Sequence, residues 1–392
     1  MNNNIHVLVI PSWYLTKEHK LRGVFFKEQA INIQKLGAKV GIIYPEVRWL
    51  SLLNFTNLRN NYFQTEEYLE DGLVTFRKHG WNIYPKFPRK QAEYWVKQGM
   101  ILGEKYIKRY GVPDIIHAQS TLWGGYVAMK LSEKYRIPYI VTEHSSAYVL
   151  TDIEDWKKEA IKEIFKKSSE IFAVSSNYAK ALSEYTEGKE VHVIGNSVDT
   201  EFFNMKKYVS REKFIFFTVA FLKKNKGMDI LIKAFNLAFK DEDNIILRIG
   251  GDGAEREKLE SLVKELKLEE KVEFLGSLNR KEVKIEMENC NVFSLASKFE
   301  TFGVVLIEAL STGTPVVSTN CGGPYDIVND KVGKLVEVDN IEELAYALKH
   351  VYVNYNNYNQ NEIRQYCIDN FSNEAIGKKQ LEIYNSVTKD KG

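Results

Sequence analysis

Residues Asn291 to Ser318 read NVFSLASKFETFGVVLIEALSTGTPVVS. The apolar run Val292–Ala296 predicts a buried strand, and Pro315–Ser318 predicts another. Between them an apolar helix should begin within Thr301-Phe302-Gly303-Val304 and end at Gly313. Strand, helix and strand in that succession build a parallel pair with a crossover helix. Two carboxylates, Glu300 and Glu308, stand eight positions apart, one at the helix mouth and one about two turns inside. A helix N-terminus offers unpaired N–H groups and the positive end of its dipole, which suit an anion.

The same rhythm runs outward in both directions. In the first half Ile5–Ile10, Val40–Tyr44, Asp114–His117, Tyr139–Thr142, Ile171–Ser175 and Val191–Ile194 read as strands. Helices are expected over Phe25–Leu36, Trp123–Lys134 and Asn177–Glu184. The pattern restarts with strands at Phe214–Ala220, Ile245–Ile249 and Val272–Leu275, and helices at Met228–Phe239 and Glu255–Leu266. A chain of 392 residues suits two domains of about 150–200 residues each. The boundary is placed within Ser197–Asn204, giving domains 1–203 and 204–370 and a terminal segment 371–392.

The bulk composition, 44% hydrophobic and 27% charged, is that of a soluble globular protein. Net charge is +2, which gives no global pull toward nucleic acid or membrane. Residues 1–200 carry 27 Lys+Arg against 22 Asp+Glu, and residues 201–392 carry 27 against 30, so the first half is the basic one. Cys290, Cys321 and Cys367 are too scattered for a disulfide framework or a zinc site. No run reaches the ~18–20 apolar residues of a spanning helix, and MNNNIHVLVIPSW lacks the apolar core of a signal peptide. A cytoplasmic location, or a peripheral one on the inner face of a membrane, is the expectation.

Glu-x7-Glu, followed by a small-residue helix end and Pro315-Val-Val-Ser-Thr-Asn-Cys-Gly-Gly-Pro324, resembles the donor-site signature of the family 4 retaining glycosyltransferases. The likeness covers nearly the whole chain. Gly23-Val-Phe-Phe-Lys-Glu-Gln-Ala30 is similar to the family's first glycine loop, and Thr142-Glu-His-Ser145 to its His-bearing strand end. Lys226-Gly227 resembles its phosphate-binding pair, and Phe371–Tyr384 the helix that crosses back to the first domain. The resemblance implies an α/β, GT-B fold: two Rossmann-like doubly wound domains facing a central cleft, the first on the acceptor side and the second binding the nucleotide sugar. It implies sugar transfer from a nucleoside-diphosphate donor, a UDP- or GDP-sugar, to a hydroxyl with retention. The expected setting is cell-surface polysaccharide or glycolipid synthesis, on a saccharide or lipid-linked saccharide acceptor. Neither a metal nor a further cofactor is implied.

A leaving diphosphate gains negative charge, so cations or N–H dipoles must face it. Lys226, the close backbone approach at Gly23 and the helix start at Thr301, Phe302, Gly303, Val304 and Val305 are the candidates. By resemblance, Glu308 holds the ribose hydroxyls, Glu300 the sugar hydroxyls or the charge on the departing face, and His144 lies near the transferred sugar. Glu300 and His144 are thus the catalytic candidates. Glu300 has a plainer rival role as the helix cap, and Lys226 as a surface lysine beside Lys223 and Lys224. His117 and Asn196 are read as structural.

Several features set limits. The family often has Arg where this chain has Phe221, a few residues before the Lys. Gly250-Gly-Asp-Gly253 tempts a dinucleotide reading, but Arg256 occupies the third glycine position. Residues 79–110 mix basic and aromatic side chains, with Ala92, Trp95, Val96, Gly99, Leu102, Gly103 and Tyr106 at helical spacing. That is an ordinary amphipathic helix, or a surface in peripheral contact with anionic lipid. No nucleic-acid module is present. The alternatives are a GT-B nucleotide-sugar epimerase or hydrolase, and a catalytically silent scaffold that keeps the fold.

Overall fold

The computed structural model describes residues 4–19, 22–205 and 212–389. The chain divides into two compact units: Met1–Val174 with Ala179–Ile194 and Ile376–Gly392, and Ser175–Tyr178 with Gly195–Ala375. The first change of unit along the interdomain stretch falls at Ile194/Gly195, earlier than the boundary read from the sequence. The polar residues 206–211 after that boundary lie outside the described residues.

The first unit holds an eight-stranded sheet, β1 (His6–Pro11), β2 (Lys39–Arg48), β3 (Thr65–Glu70), β4 (Leu73–Trp81), β5 (Ile115–Gln119), β6 (Tyr139–Glu143), β7 (Glu170–Ala173) and β8 (Val191–Val193), in the order β3-β4-β2-β1-β5-β6-β7-β8. Among the described residues only β3 runs antiparallel to its neighbour, β4. Strand β1 shows why both faces must be covered. Val7 and Val9 join the core with Phe26, Ile33 and Tyr384, while Leu8 and Ile10 join Leu102, Tyr106 and Val127 on the other face. Helix Val24–Lys35 and the end of helix Asn373–Lys389 cover the first face; Pro88–Tyr110, Tyr126–Tyr135 and Asp155–Lys167 cover the second.

The hairpin β3–β4 was not expected from the sequence. Its second strand carries Arg77, Lys78 and His79, which break the apolar signal of a buried strand. Arg77 and His79 are nonetheless buried, because Glu46 on β2 lies between them and Arg48. Glu46 Oε2 accepts from Arg77 Nη1 at 3.0 Å, Glu70 takes Arg77 Nε at 2.8 Å, and Glu66 meets His79 Nε2 at 3.1 Å. The helix Pro88–Tyr110 buries Ala92, Gly99, Leu102, Gly103 and Tyr106 in the core, so its apolar face is packing and not a lipid-facing surface. Among the described residues no helix is long and apolar enough to cross a membrane.

The second unit holds six parallel strands, β9 (Phe214–Val219), β10 (Ile245–Gly250), β11 (Val272–Gly276), β12 (Val292–Leu295), β13 (Val316–Thr319) and β14 (Gly333–Val336), ordered β11-β10-β9-β12-β13-β14. Relative to β9, the chain first builds outward on one side and then restarts with β12 on the other. This is the doubly wound order, with its switch point between β9 and β12. Helix Met228–Phe239 packs Leu231, Phe235 and Phe239 against Phe216, Leu247 and Ile249.

Removing Glu46 leaves Arg48 and Arg77 buried without their shared partner. Glu46→Ala should therefore destabilise the first unit by about 3–5 kcal/mol, read as a lower urea midpoint with the second unit's transition unmoved.

Candidate active site

In the second unit the loops leaving β9 and β12 meet at the switch point, where open α/β sheets bind ligands. The turn Lys224–Lys226 ends at Gly227, which has φ 62° and caps helix Met228–Phe239. A Cβ at Gly227 would stand 1.9 Å from the Ala296 carbonyl oxygen. Only glycine permits that approach. Asn225 O also accepts from Lys298 N at 2.9 Å, so the two loops are tied together. The contact delivers Lys226 Nζ to Glu300 Oε1 at 2.6 Å, with Ser297 Oγ donating to the same oxygen at 2.7 Å. Both charged side chains remain partly accessible, at 23% and 18% exposure. Lys226 is thus a held cation and not a free surface lysine.

The backbone of Glu300 is fixed by the loop after β13. Its N–H donates to Cys321 O and its carbonyl accepts from Gly323 N, each at 2.9 Å. Ser175 Oγ donates to Thr301 O at 2.7 Å. The helix Val304–Ser311 then starts from Gly303 at φ 103°, with no side chain capping it. Glu300 therefore pairs with Lys226 and does not cap; Leu306 N–H turns back to Gly303 O at 2.9 Å, while the N–H groups of Val304 and Val305 lack intrahelical acceptors. Val304 and Val305 are half-buried at this start. Glu308, also half-buried, stands about one turn into the helix rather than two, because the helix begins at Val304. Phe302 points its ring inward, against Gly195 and with its centroid 6.0 Å from Phe371. At 2% exposure it has only backbone to offer a ligand. Cys321 is buried, which pushes its thiol up to about 12. Phe221, by contrast, is 71% exposed.

In the first unit the switch point lies between β1 and β5. Gly23, at φ 72°, caps helix Val24–Lys35, and a Cβ there would stand 2.8 Å from Trp13 O. The two phenylalanines that follow, Phe25 and Phe26, pack on the ring of His144 at 5.2 and 5.0 Å. Gly23 and His144 are thereby brought to one place. His144 Nε2 lies 2.7 Å from Gln119 Oε1, an acceptor, so Nε2 carries the proton. The buried Nδ1 has no protein partner. Burial, reinforced by His117, lowers the His144 pKa to about 3, so the ring is neutral. His117 is fully engaged, with Tyr384 Oη at 2.7 Å and Thr142 Oγ1 at 2.8 Å, as a structural residue.

Glu143 was missed in the sequence, although it adjoins His144. It is fully buried and accepts from Ser120 Oγ, Thr121 N, Thr121 Oγ1, His144 N and Ser145 N, at 2.6–2.8 Å. These bonds lock the ends of β5 and β6 beside a cavity of about 290 Å³ lined by Trp13, Ser120, Glu143, Ser145 and Tyr148. Among the described residues no group of three His, Cys, Asp or Glu side chains could hold a metal ion.

The family model for Glycosyltransferase Family 4 matches residues 24–202, and that for Glycosyl transferases group 1 matches residues 200–370. An uncharacterized glycosyltransferase of Methanocaldococcus jannaschii is 30% identical over 63% of this chain and 71% of its own. The chain is a family 4 glycosyltransferase. Its fold is GT-B, with two Rossmann-like domains. Anabaena HepE, solved in complex with UDP, superposes with TM-score 0.70 at 19% identity over 97% of this chain and 100% of its own. The N-acetylgalactosamine-N,N'-diacetylbacillosaminyl-diphospho-undecaprenol 4-alpha-N-acetylgalactosaminyltransferase of Campylobacter jejuni is 36% identical over 41% of this chain and 44% of its own. In this glycosyltransferase Lys226, Glu300 and the helix start share one strand-end site in the second unit, whereas Gly23 and His144 belong to the first.

The buried histidines fix a sign for the pH dependence. His117 and His144 are each lowered from 6.5 to about 3, so below pH 6.5 the folded state binds fewer protons than the unfolded chain. Stability is full above that pH and falls as pH falls, by about 1.4 kcal/mol per pH unit for each histidine. His6, lowered to about 4 chiefly by burial, adds to this slope; urea unfolding between pH 6.5 and 4 should show the summed fall, reduced by one histidine's share in His144→Gln.

Proposed function

We propose that the protein transfers a sugar with retention from a nucleoside-diphosphate sugar, a UDP- or GDP-sugar, to a hydroxyl of a saccharide or lipid-linked saccharide. The observation that carries this reading is the Lys226–Glu300 pair at the β9/β12 switch point, beside an uncapped helix start. HepE binds UDP on the same fold, and the Campylobacter relative's name specifies a diphospho-undecaprenol-linked saccharide and an alpha linkage. The setting that fits is assembly of a cell-surface polysaccharide or glycolipid at the cytoplasmic side of a membrane.

The diphosphate lies against Lys226, the N–H groups of Gly303, Val304 and Val305, and the backbone at Thr301 and Phe302; Gly23, in the first unit, is assigned to the donor by the family resemblance alone. Departure of the nucleoside diphosphate builds charge that the ammonium and the helix dipole stabilise without a metal. Glu300 keeps Lys226 extended while the site is empty, then holds sugar hydroxyls as the lysine turns to phosphate. Glu308 takes the ribose hydroxyls. His144 is neutral, so its assigned role is to accept a sugar hydroxyl at Nδ1, not to donate a proton. Phe221 supplies no cation at the position where the family often has Arg, so the phosphate clamp rests on Lys226.

A thermal-shift panel of UDP, GDP, ADP and their sugar conjugates tests the reading. A ligand at ~100 times its Kd adds roughly 2.7 kcal/mol; wild type should gain this with one nucleotide and Glu308→Ala should not. Silence across the panel with folded protein would overturn the donor assignment and favour a scaffold. Lys226→Met should slow transfer about a hundredfold, with product anomers read by NMR. Phe221→Arg should tighten nucleoside diphosphate binding by about tenfold or more, as a charge-assisted hydrogen bond contributes roughly 1.5–3 kcal/mol.

A further inference from the structure

Strands β2 and β4 end side by side, with Arg48 opposite Trp81. Two segments leave these ends and stay tied to them. The Trp81 indole donates to Asn61 O, Asn82 N to Arg48 O and Lys78 Nζ to Phe63 O, each at 2.8 Å. On these segments Trp49, Leu53, Phe55, Tyr62, Phe63 and Phe87 are all exposed, Phe55 by 83%. Soluble monomers rarely leave a contiguous apolar patch of more than a few hundred Å² uncovered. Along the two segments themselves the charge is one-sided, although Glu93, just beyond them, pairs with Arg89, and Glu67 is exposed on the neighbouring strand β3. No Asp or Glu occurs from Val47 to Thr65 or from Gly80 to Ala92. Arg59, Lys86 and Lys90 are exposed within those stretches.

We propose that residues 49–63 and 83–90 dock the first unit onto a membrane surface that carries anionic lipid. Aromatic and leucine side chains enter the headgroup boundary while flanking cations meet lipid phosphates. A second copy of the chain fits less well, since a two-fold contact would set Arg59, Lys86 and Lys90 against their own images. Because β1, β2, β4, β5 and β6 run parallel, the patch lies along the same sheet edge as the Glu143–Ser145 cavity. Docking brings that edge to the bilayer. The inference stands on exposure and charge and does not depend on the proposed donor chemistry.

Vesicle flotation of the full chain tests it, with phosphatidylcholine alone and with phosphatidylcholine carrying phosphatidylglycerol. Wild type should float with the anionic vesicles only, and less at high salt. Leu53→Ser with Phe55→Ser should abolish flotation. Arg59→Gln with Lys86→Gln and Lys90→Gln should weaken it on the order of a hundredfold, at roughly fivefold per cation. Both variants alter exposed side chains and should keep the wild-type far-UV spectrum and nucleotide thermal shift. No flotation of wild type, equal flotation on neutral vesicles, or unchanged flotation of both variants overturns the proposal. So does a concentration-dependent dimer in sedimentation that Phe55→Ser dissolves, which would give the face to a second copy.

Discussion

The second unit's chemistry depends on the contact of Gly227 with the Ala296 carbonyl. A side chain there would meet that oxygen at 1.9 Å, so the loops after β9 and β12 could not close on each other. Their closure places an ammonium from one strand end against a carboxylate from the other, one short turn before a helix that begins without a cap. Each part is ordinary alone. A lysine after a strand is solvated, a glutamate after a strand caps the next helix, and a helix start takes water. Pressed together at a topological switch point, they make a site that is neutral when empty yet offers a cation and N–H dipoles to an arriving anion.

The first unit handles its strand ends differently. Here the charges are buried and paired, or suppressed. Glu143 is satisfied by five donors, and His117 and His144 are kept neutral by burial. A low-dielectric, hydrogen-bonded end of this kind is rigid but offers little free charge. The exception is the His144 Nδ1 lone pair, which has no protein partner. A hydroxyl donor is the natural complement to a buried acceptor of that kind.

Much of the fold was legible because buried parallel strands read as continuous apolar runs. Ile245–Ile249 and Val292–Ala296 fell within a residue of β10 and β12. The hairpin β3–β4 was hidden, since Arg77 and His79 look solvated until Glu46 and Glu70 are seen beside them. That partnership spans strands and leaves no local signature. At the site, Lys226, Glu300 and Gly303 were visible because glycine and charge at strand ends are local signals. The inward turn of Phe302 was not, as it depends on Gly195 and Phe371. Glu143 stood one residue from a noticed histidine, yet nothing in its neighbours marks five donors converging on it. A lipid-facing surface was sought in residues 79–110, which include the exposed Ile83 and Phe87 but also a helix whose spacing fits a surface as well as a core. Only packing shows that this helix is buried and that Trp49–Phe63 is exposed.

Phe221 brings these threads to one point. Ala220 and Leu222 on either side of it are hydrogen-bonded to Gly250 and Asp252, so the backbone there is held as firmly as in a site that carries a working side chain. The phenyl ring itself is 71% exposed. On the proposed reading the frame for a second phosphate contact is retained while the contact is absent. Diphosphate binding then falls to Lys226 and a helix start, unless the exposed Lys223 or Lys224 replaces the missing cation. The Lys226 ammonium is already paired with Glu300, so the anion must compete for it. A ligand that also supplies hydroxyls to the released carboxylate offsets that competition, whereas a bare diphosphate does not. On that reading the arrangement favours a sugar conjugate over the diphosphate alone.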